Sequence, residues 1–164
     1  MALPNKVLPG FSAAMYAQPG ATPTVLTTAQ LSLVASVSPI AVSGNLLPIE
    51  TIPAFGMDDA VANYAVAGSR QSDKIPVQAA PTSMTITAAW NPSDTNLLLM
   101  RADAYSGVID RTFVISATEG ANIVYYAFNG RVGQFQIDAA PGAEAKCIFT
   151  IHPRGNQYGW SNNA

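Results

Sequence analysis

Few residues in this 164-residue chain are equipped for covalent chemistry, and their spacing keeps them apart. The single histidine, His152, and the single cysteine, Cys147, cannot supply a zinc site or a Ser-His-Asp triad. His152 stands at the end of a strand before Pro153 and reads as a core-edge or surface residue, while Cys147 lies in the apolar run 145–151 and reads as a buried, inert thiol. Adjacent carboxylates occur only as Asp58-Asp59, and neighbours on a strand point to opposite faces, which is wrong for an acid/base pair. Gly130 and Gly133 lack the strand-to-helix setting of a phosphate-cradling loop, and Asn91-Pro92-Ser93 has proline where a glycosylation acceptor cannot. Arg131 between Phe128 and Phe135 is the nearest approach to a platform for single-stranded nucleic acid, but a core-facing aromatic pair with one solvated arginine explains it more simply. The chain therefore reads as a protein that is not an enzyme, with no cofactor and no metal.

What the composition favours instead is association. Hydrophobic residues make up 49% of the chain and charged residues only 11%, against about 25% charged in an average soluble protein. A surface so poor in charge tends to self-associate, which points to coverage by other copies or partners; the alternative is a secreted monomer rich in Ser, Thr and Ala. Every residue between Lys6 and Glu50 is uncharged. The formal net charge of −2 leaves no basic footprint for gripping nucleic acid. Residues 31–49 are long enough to raise the question of a membrane helix, but their serines, Pro39, Gly44, Asn45 and Pro48 argue against one. A soluble, unprocessed protein is the expectation.

The elements that must position any site are clearest in residues 84–118. Met84, Ile86, Ala88 and Trp90 alternate with Thr85 and Thr87, the period of a half-buried strand. Asn91-Pro92-Ser93-Asp94 then reads as a helix start, with Asn91 as N-cap and Pro92 at the first helical position. Leu97, Leu98, Arg101, Ala104 and Tyr105 form the predicted buried stripe, and Gly107 suits the left-handed C-terminal position. Phe113, Ile115 and Ala117 resume a strand. A helix this short is marginal in water and needs a sheet to lie on.

The rest of the chain supplies strands. Residues 1–28, with Pro4, Pro9, Pro19 and Pro23, read as an arm that Phe11, Met15 and Tyr16 anchor, on the same domain or on a neighbour. Two strands are predicted within residues 29–42, an extended crossing segment over 46–54, and a projecting polar loop over 55–81 that carries Asp58, Asp59, Arg70, Asp73 and Lys74. Asn129-Gly130 reads either as a hairpin turn or as a bulge in one longer strand. The last strand is predicted over 145–151 and a polar tail over 153–164. The sum is about eight strands and one helix: a mainly β fold, an antiparallel β-sandwich or barrel with one short flanking α-helix at about residues 92–105 and an extended N-terminal arm and loop. The domain reading is an arm (1–28), a β-sandwich domain (29–152) with a projecting loop (55–81), and a C-terminal tail (153–164).

An ordered set of blocks carries a resemblance. Leu8-Pro9-Gly10-Phe11-Ser12-Ala13-Ala14, Thr51-Ile52-Pro53-Ala54-Phe55-Gly56, Ile86-Thr87-Ala88-Ala89-Trp90-Asn91-Pro92-Ser93-Asp94, Arg111-Thr112-Phe113-Val114-Ile115 and Tyr126-Ala127-Phe128-Asn129-Gly130-Arg131-Val132 together resemble the major tail tube protein of long, non-contractile-tailed bacteriophages. The resemblance implies hexameric rings of sandwich subunits, stacked into a hollow tube in the virion tail and assembled in the host cytoplasm. It also implies partners: other copies of the chain, tail completion or initiator proteins, the tape-measure protein, and double-stranded DNA that passes without specific binding. Phe11, Met15, Tyr16, Asp58, Asp59, Arg70, Asp73 and Lys74 are then the candidate inter-subunit contacts. Two other readings are a stacked-ring tube protein of a secretion apparatus and a receptor- or carbohydrate-binding sandwich module of a virion. The last would need exposed aromatic platforms, for which Trp90, Tyr158 and Trp160 are the candidates.

Overall fold

A computed structural model describes residues 12–26, 37–65, 72–119 and 122–161, with residues 57–80 and 156–161 described by their backbone. Seven strands and one α-helix occur among them: β1 (Ser12–Ala17), β2 (Met57–Ala65), β3 (Ser72–Pro81), β4 (Met84–Ala89), α1 (Thr95–Ser106), β5 (Asp110–Glu119), β6 (Asn122–Asp138) and β7 (Lys146–Ser161). Five of the strands form one sheet in the order β1-β5-β6-β7-β4, and β2 and β3 form a separate two-stranded sheet. The fold is mainly β and antiparallel, with a single short helix, as the sequence predicts.

Each neighbouring pair in the large sheet is antiparallel, so the two outermost strands, β1 and β4, run in the same direction. A segment antiparallel to both can join them, and the chain provides it. Leu46 bridges to Tyr16 of β1, and Ile49 bridges to Ala88 of β4. The Leu47 amide donates to the Met15 carbonyl at 2.9 Å and the Glu50 amide to that of Thr87 at 3.0 Å. The predicted crossing segment is thus the closing stave of a barrel. Inside lie Met15, Leu47, Met84, Ile86, Phe113, Ile115, Phe128, Phe149 and Ile151, all buried.

Two irregularities help to curl the long β6–β7 ribbon. Gln134 is left unpaired where the register shifts between Gly133 and Phe135, at a φ of 47°, and Gly155 at 74° lies in the second shift, opposite Phe128 and Asn129. Such bulges bend a strand and increase its twist. They let one half of the ribbon pair with β4 and the other half with β5. Asn129-Gly130 is therefore part of one continuous strand. Gly130 sits where a Cβ would come within 3.0 Å of Ile151 Cγ2 and 3.2 Å of the His152 carbonyl oxygen, so a hairpin signal in the sequence is a close-packing glycine in the fold.

The outer face of β1, β5 and β6 is covered as well: Val37 and Ile40 pack on Val114 and Ala127, with Tyr16 and Leu26 at the margin. Strand β5 is consequently buried on both faces from Arg111 to Ser116. Residues 40–42 belong to this cover as bends leading into a 3-10 turn, Ser43–Asn45, and not to the predicted second strand; residues 29–36 lie outside the described residues. At the other end, residues 153–161, predicted as a polar tail, continue β7 to Ser161. Pro153 is tolerated because this half of β7 is an edge: β4 pairs with Lys146 to Ile151 and goes no further.

Helix α1 starts three residues later than predicted. Asp94 is the N-cap, accepting from the amides of Asn96 at 2.9 Å and Leu97 at 3.0 Å. Asn91 is used instead in the turn before it, where its Oδ1 accepts from the Ser93 amide at 2.9 Å. Gly107 ends the helix in the left-handed conformation, as predicted. The buried face is Leu97, Met100 and Asp103, while Leu98 and Tyr105 of the predicted stripe are exposed.

The reason for that rotation is a buried ion pair. Asp103 and Arg111 are 1% and 3% exposed. The Arg111 Nε donates to Asp103 Oδ2, its Nη2 to Oδ1 at 2.9 Å, and its Nη1 to the Pro19 carbonyl at 2.7 Å. One guanidinium thus ties α1 to β5 and to the chain leaving β1. Removing one partner strands the other charge, which costs about 3–5 kcal/mol. We expect Asp103→Ala to lower unfolding free energy by about that much in urea titrations, and Asp103→Leu combined with Arg111→Met to recover most of it. Leu97→Asp should unfold the domain by circular dichroism, and Leu98→Asp should leave it folded, because only Leu97 faces the core.

Candidate functional site

Among the described residues no three of His, Cys, Asp and Glu come together in a way that could hold a metal ion, and none of the described helices is long and apolar enough to cross a membrane. His152 is exposed and shares a hydrogen bond with Ser83 through Nδ1 at 2.9 Å. Cys147 is fully buried, and desolvation pushes its thiol up from its ordinary value, so it packs as a small hydrophobe. The useful features of this molecule are edges and surfaces.

The hairpin β2–β3 is the most exposed of these in topological terms. Its nine and ten residues pair only with each other among the described residues. A two-stranded ribbon is at best marginally stable in water, and no described strand pairs with either of its outer edges. Within it, Asp58 and Asp59 stand opposite Ala80 and Ala79 at the base, whereas Asp73 and Lys74 stand opposite Tyr64 and Asn63 near the tip. Base and tip positions on β3 are separated by about 24 Å at 3.4 Å per residue. The predicted projecting loop is therefore a ribbon with carboxylates at one end and a mixed pair at the other. Arg70 and the rest of the tip, 66–71, lie outside the described residues.

The arm residues divide. Met15 is wholly buried in the barrel of its own chain, and Tyr16 is half-buried on the opposite face beside Val37 and Ile40. Phe11 lies outside the described residues. The C-terminal half of β7 and the edges of the hairpin are not among the predicted contact residues. The broken pattern around Pro153 and Gly155 conceals the first, while the second is partly legible as a strand at 63–67 and an extended return through Ile75, Pro76 and Val77 around a polar tip.

A second feature the sequence does not announce is a cleft of about 400 Å³ at the end of the barrel where β1 begins. Ala13, Ile115 and Ala117 form one wall, and Ile49, Ile52 and Phe55 of the crossing segment form the other, with Glu50 at the rim. Phe55 rests on Tyr126 with ring centroids 4.9 Å apart. Glu50 is held by Lys146 at 2.7 Å, and the same contact raises the Lys146 amine above its ordinary value.

Known proteins can now be set beside this geometry. No protein-family model and no curated protein sequence matches the chain. Solved structures do. A chain from the sheath/tube terminator of the PVC extracellular contractile injection system, in its extended state, superposes with a TM-score of 0.62 at 11% identity, covering 94% of this chain and 99% of that one. A chain from the anti-feeding prophage baseplate gives 0.63 at 9% identity, over 96% and 97% of the two chains. The SPP1 tail tube gives 0.53 at 9% identity, over 94% and 77%. The chain shares their fold. The likeness covers 94% of this chain or more in each case.

The charged groups of the site are local clamps. Asp110, at the start of β5, accepts from Arg131 Nε at 2.7 Å and Arg154 Nη1 at 3.0 Å. The hydrogen bond from Arg131 holds its carboxyl below the ordinary 3.8, burial opposes this, and the charges of Arg131 and Arg154 add to the lowering. A carboxyl depressed on folding contributes stability above its unfolded value, and that contribution is lost as the pH falls through its folded value. Acid unfolding of the protein should therefore steepen below about pH 4, and Asp110→Asn should flatten the stability profile in that window when it is followed by tryptophan fluorescence.

Proposed function

We propose that this chain is the structural subunit of a bacteriophage tail tube, forming stacked, hexameric rings around a conduit for genome delivery. The observation that carries this reading is the likeness of fold to tube and tube-terminating chains over 94% of this chain. The six-fold symmetry of the anti-feeding prophage baseplate structure supports six subunits per ring. Scarcity of charge and a two-stranded ribbon outside the large sheet fit a chain whose surface is completed by its neighbours.

In this reading the hairpin pairs with an adjacent subunit, with Asp58, Asp59, Arg70, Asp73 and Lys74 distributed along that contact, and the free half of β7 offers a strand edge of similar length. Phe11 and the residues before it belong to the arm contacts, while Met15 and Tyr16 hold the root of the arm to its own barrel. Tail completion or initiator proteins cap the tube, and a tape-measure protein and then double-stranded DNA occupy the bore. DNA carries one charge per about 1.7 Å of axis, and each neutralised phosphate strengthens binding. A conduit must avoid such grip. Six copies at −2 each give −12 per ring, and the bore should carry more Asp and Glu than Lys and Arg.

The second reading is the tube of a contractile injection system, favoured by the higher TM-scores of the PVC and anti-feeding prophage chains. The non-contractile assignment rests on the resemblance in sequence blocks, with support from the SPP1 likeness. Negative-stain electron microscopy of the purified protein is the first test: long tubes are expected, and monodisperse monomers would sink both readings. Deleting residues 69–74 or 1–6 should leave a folded subunit that forms few tubes; undiminished tube yield would misplace the contacts. A tube map with a ring of unpaired arginines on its inner wall would contradict the DNA conduit.

A further inference from the structure

In a chain with so few charges, each one can be followed to its partner. Among the described side chains Asp103 pairs with Arg111, Asp110 with Arg131 and Arg154, and Glu50 with Lys146, while Asp94 caps α1. Three are left over. The side chains of Arg101, Asp138 and Glu144 form no ion pair and no hydrogen bond within the subunit, and Arg101 has only the ring of its own Tyr105, 5.6 Å away.

The leftover charges stand on two elements of opposite sign. Arg101 lies on the outer face of α1 with Leu98 and Tyr105, which are three and four residues from it and exposed. Tyr105 is 75% exposed and Val108, just past the helix, 71%. There Arg131 holds the carbonyls of Gly107 and Val108 at 3.0 and 3.2 Å, and shares Asp110 with Arg154. Two guanidiniums on one carboxylate leave an excess positive charge at the end of the helix, and Arg101 adds to it.

The turn between β6 and β7 has the reverse character. Asp138 and Glu144 flank it, and the nearby Lys146 is already held by Glu50 at 2.7 Å, so three carboxylates surround one ammonium. Its tip is preformed. Over Ala140-Pro141-Gly142-Ala143 the last amide donates to the first carbonyl at 3.1 Å, and Gly142, at a φ of 77°, has the conformation that a type II turn needs after proline. Every residue from Ile137 to Glu144 is exposed, and apart from the two acids all are apolar or glycine.

We propose that the β6–β7 turn of one copy docks on the outer face of α1 of a second copy, setting Pro141 against Tyr105 and bringing Asp138 and Glu144 within reach of Arg101. The two surfaces differ, so the contact is head-to-tail: each copy offers its helix to one neighbour and its turn to another. A contact of this kind closes into a ring or continues as a filament. The rigid turn loses little freedom on docking, and Arg and Tyr are the residue types that contribute most at the centre of an interface. The inference rests on the reading above only in that copies of the chain associate, and it does not require a tube.

Sedimentation velocity of the full chain at low salt, where surface charges are least screened, tests the contact with variants that alter only exposed side chains. These are Arg101→Glu, Asp138→Lys with Glu144→Lys, and all three changes in one chain. Either reversal alone should raise the concentration of half-assembly roughly tenfold, because like charges then face each other, with an unchanged circular dichroism spectrum. An equal mixture of the two reversed proteins should assemble as the unaltered chain does, since every turn then finds a helix of opposite sign, and so should the chain with all three changes. Undiminished assembly of Arg101→Glu, or recovery in the triple variant but not in the mixture, would overturn the proposal. Either result leaves the tube reading standing wherever the unaltered chain still forms tubes, whereas an unaltered chain that stays monomeric removes both. Rescued oligomers that never elongate into tubes support this contact and count against the tube.

Discussion

The pairing of Asp103 with Arg111 is the constraint on which the rest of this structure depends. Two charges out of water are tolerated only where the remaining hydrogen-bonding capacity is met, and here Arg111 meets it with the carbonyl of Pro19. That arrangement fixes the rotation of α1, which puts Leu97 and Met100 into the barrel and turns Leu98 and Tyr105 outward. It also fixes where β5 starts and where the chain leaves β1. Next to it, Thr112 accepts from the Thr24 amide at 2.8 Å and donates to Asn129 at 2.7 Å, so the polar groups on the doubly covered strand β5 are matched to partners.

From that node the barrel is built outward in two directions. Phe113 stacks on Phe128 at 5.7 Å in one half, and Phe135 on Phe149 at 5.9 Å in the other, where Trp90 meets Phe135 edge-on. The bulge at Gln134 lies between these halves and the glycine at 155 beyond them. The crossing segment then joins β1 to β4, held by backbone bonds and by Glu50 to Lys146 on β7. The hairpin and the C-terminal half of β7 remain outside this closed unit.

Legibility in the sequence followed from whether a residue's role was local. The left-handed cap at Gly107, the alternation in β4 and β5, and the extended crossing segment depend on nearby residues and were readable. The N-cap was not, because Asn91 and Asp94 are both good caps and only the competing turn at Asn91-Pro92-Ser93 decides between them. The buried stripe was misread because a carboxylate in the core has meaning only with Arg111 eight residues away. Residues 153–161 were read as a tail since Pro153 and Gly155 break the pattern, although an edge strand with a bulge accepts both. For the candidate site, the charged residues of the hairpin and its extended stems around a polar tip are legible, the full length of the pairing is not, and the cleft arises from segments distant in sequence.

The pairing of Ser12 with Thr118 also governs the order of events in synthesis. Apart from the crossing segment at Leu46 and Leu47, the first strand of the barrel has no described strand partner until a chain about a hundred residues longer has been made, and pairings of that separation form slowly. A nascent chain therefore holds no finished sheet until β5, β6 and β7 have all emerged. The large sheet is complete only when its last strand, β7, has been made, so most of the chain must be present before the core can close.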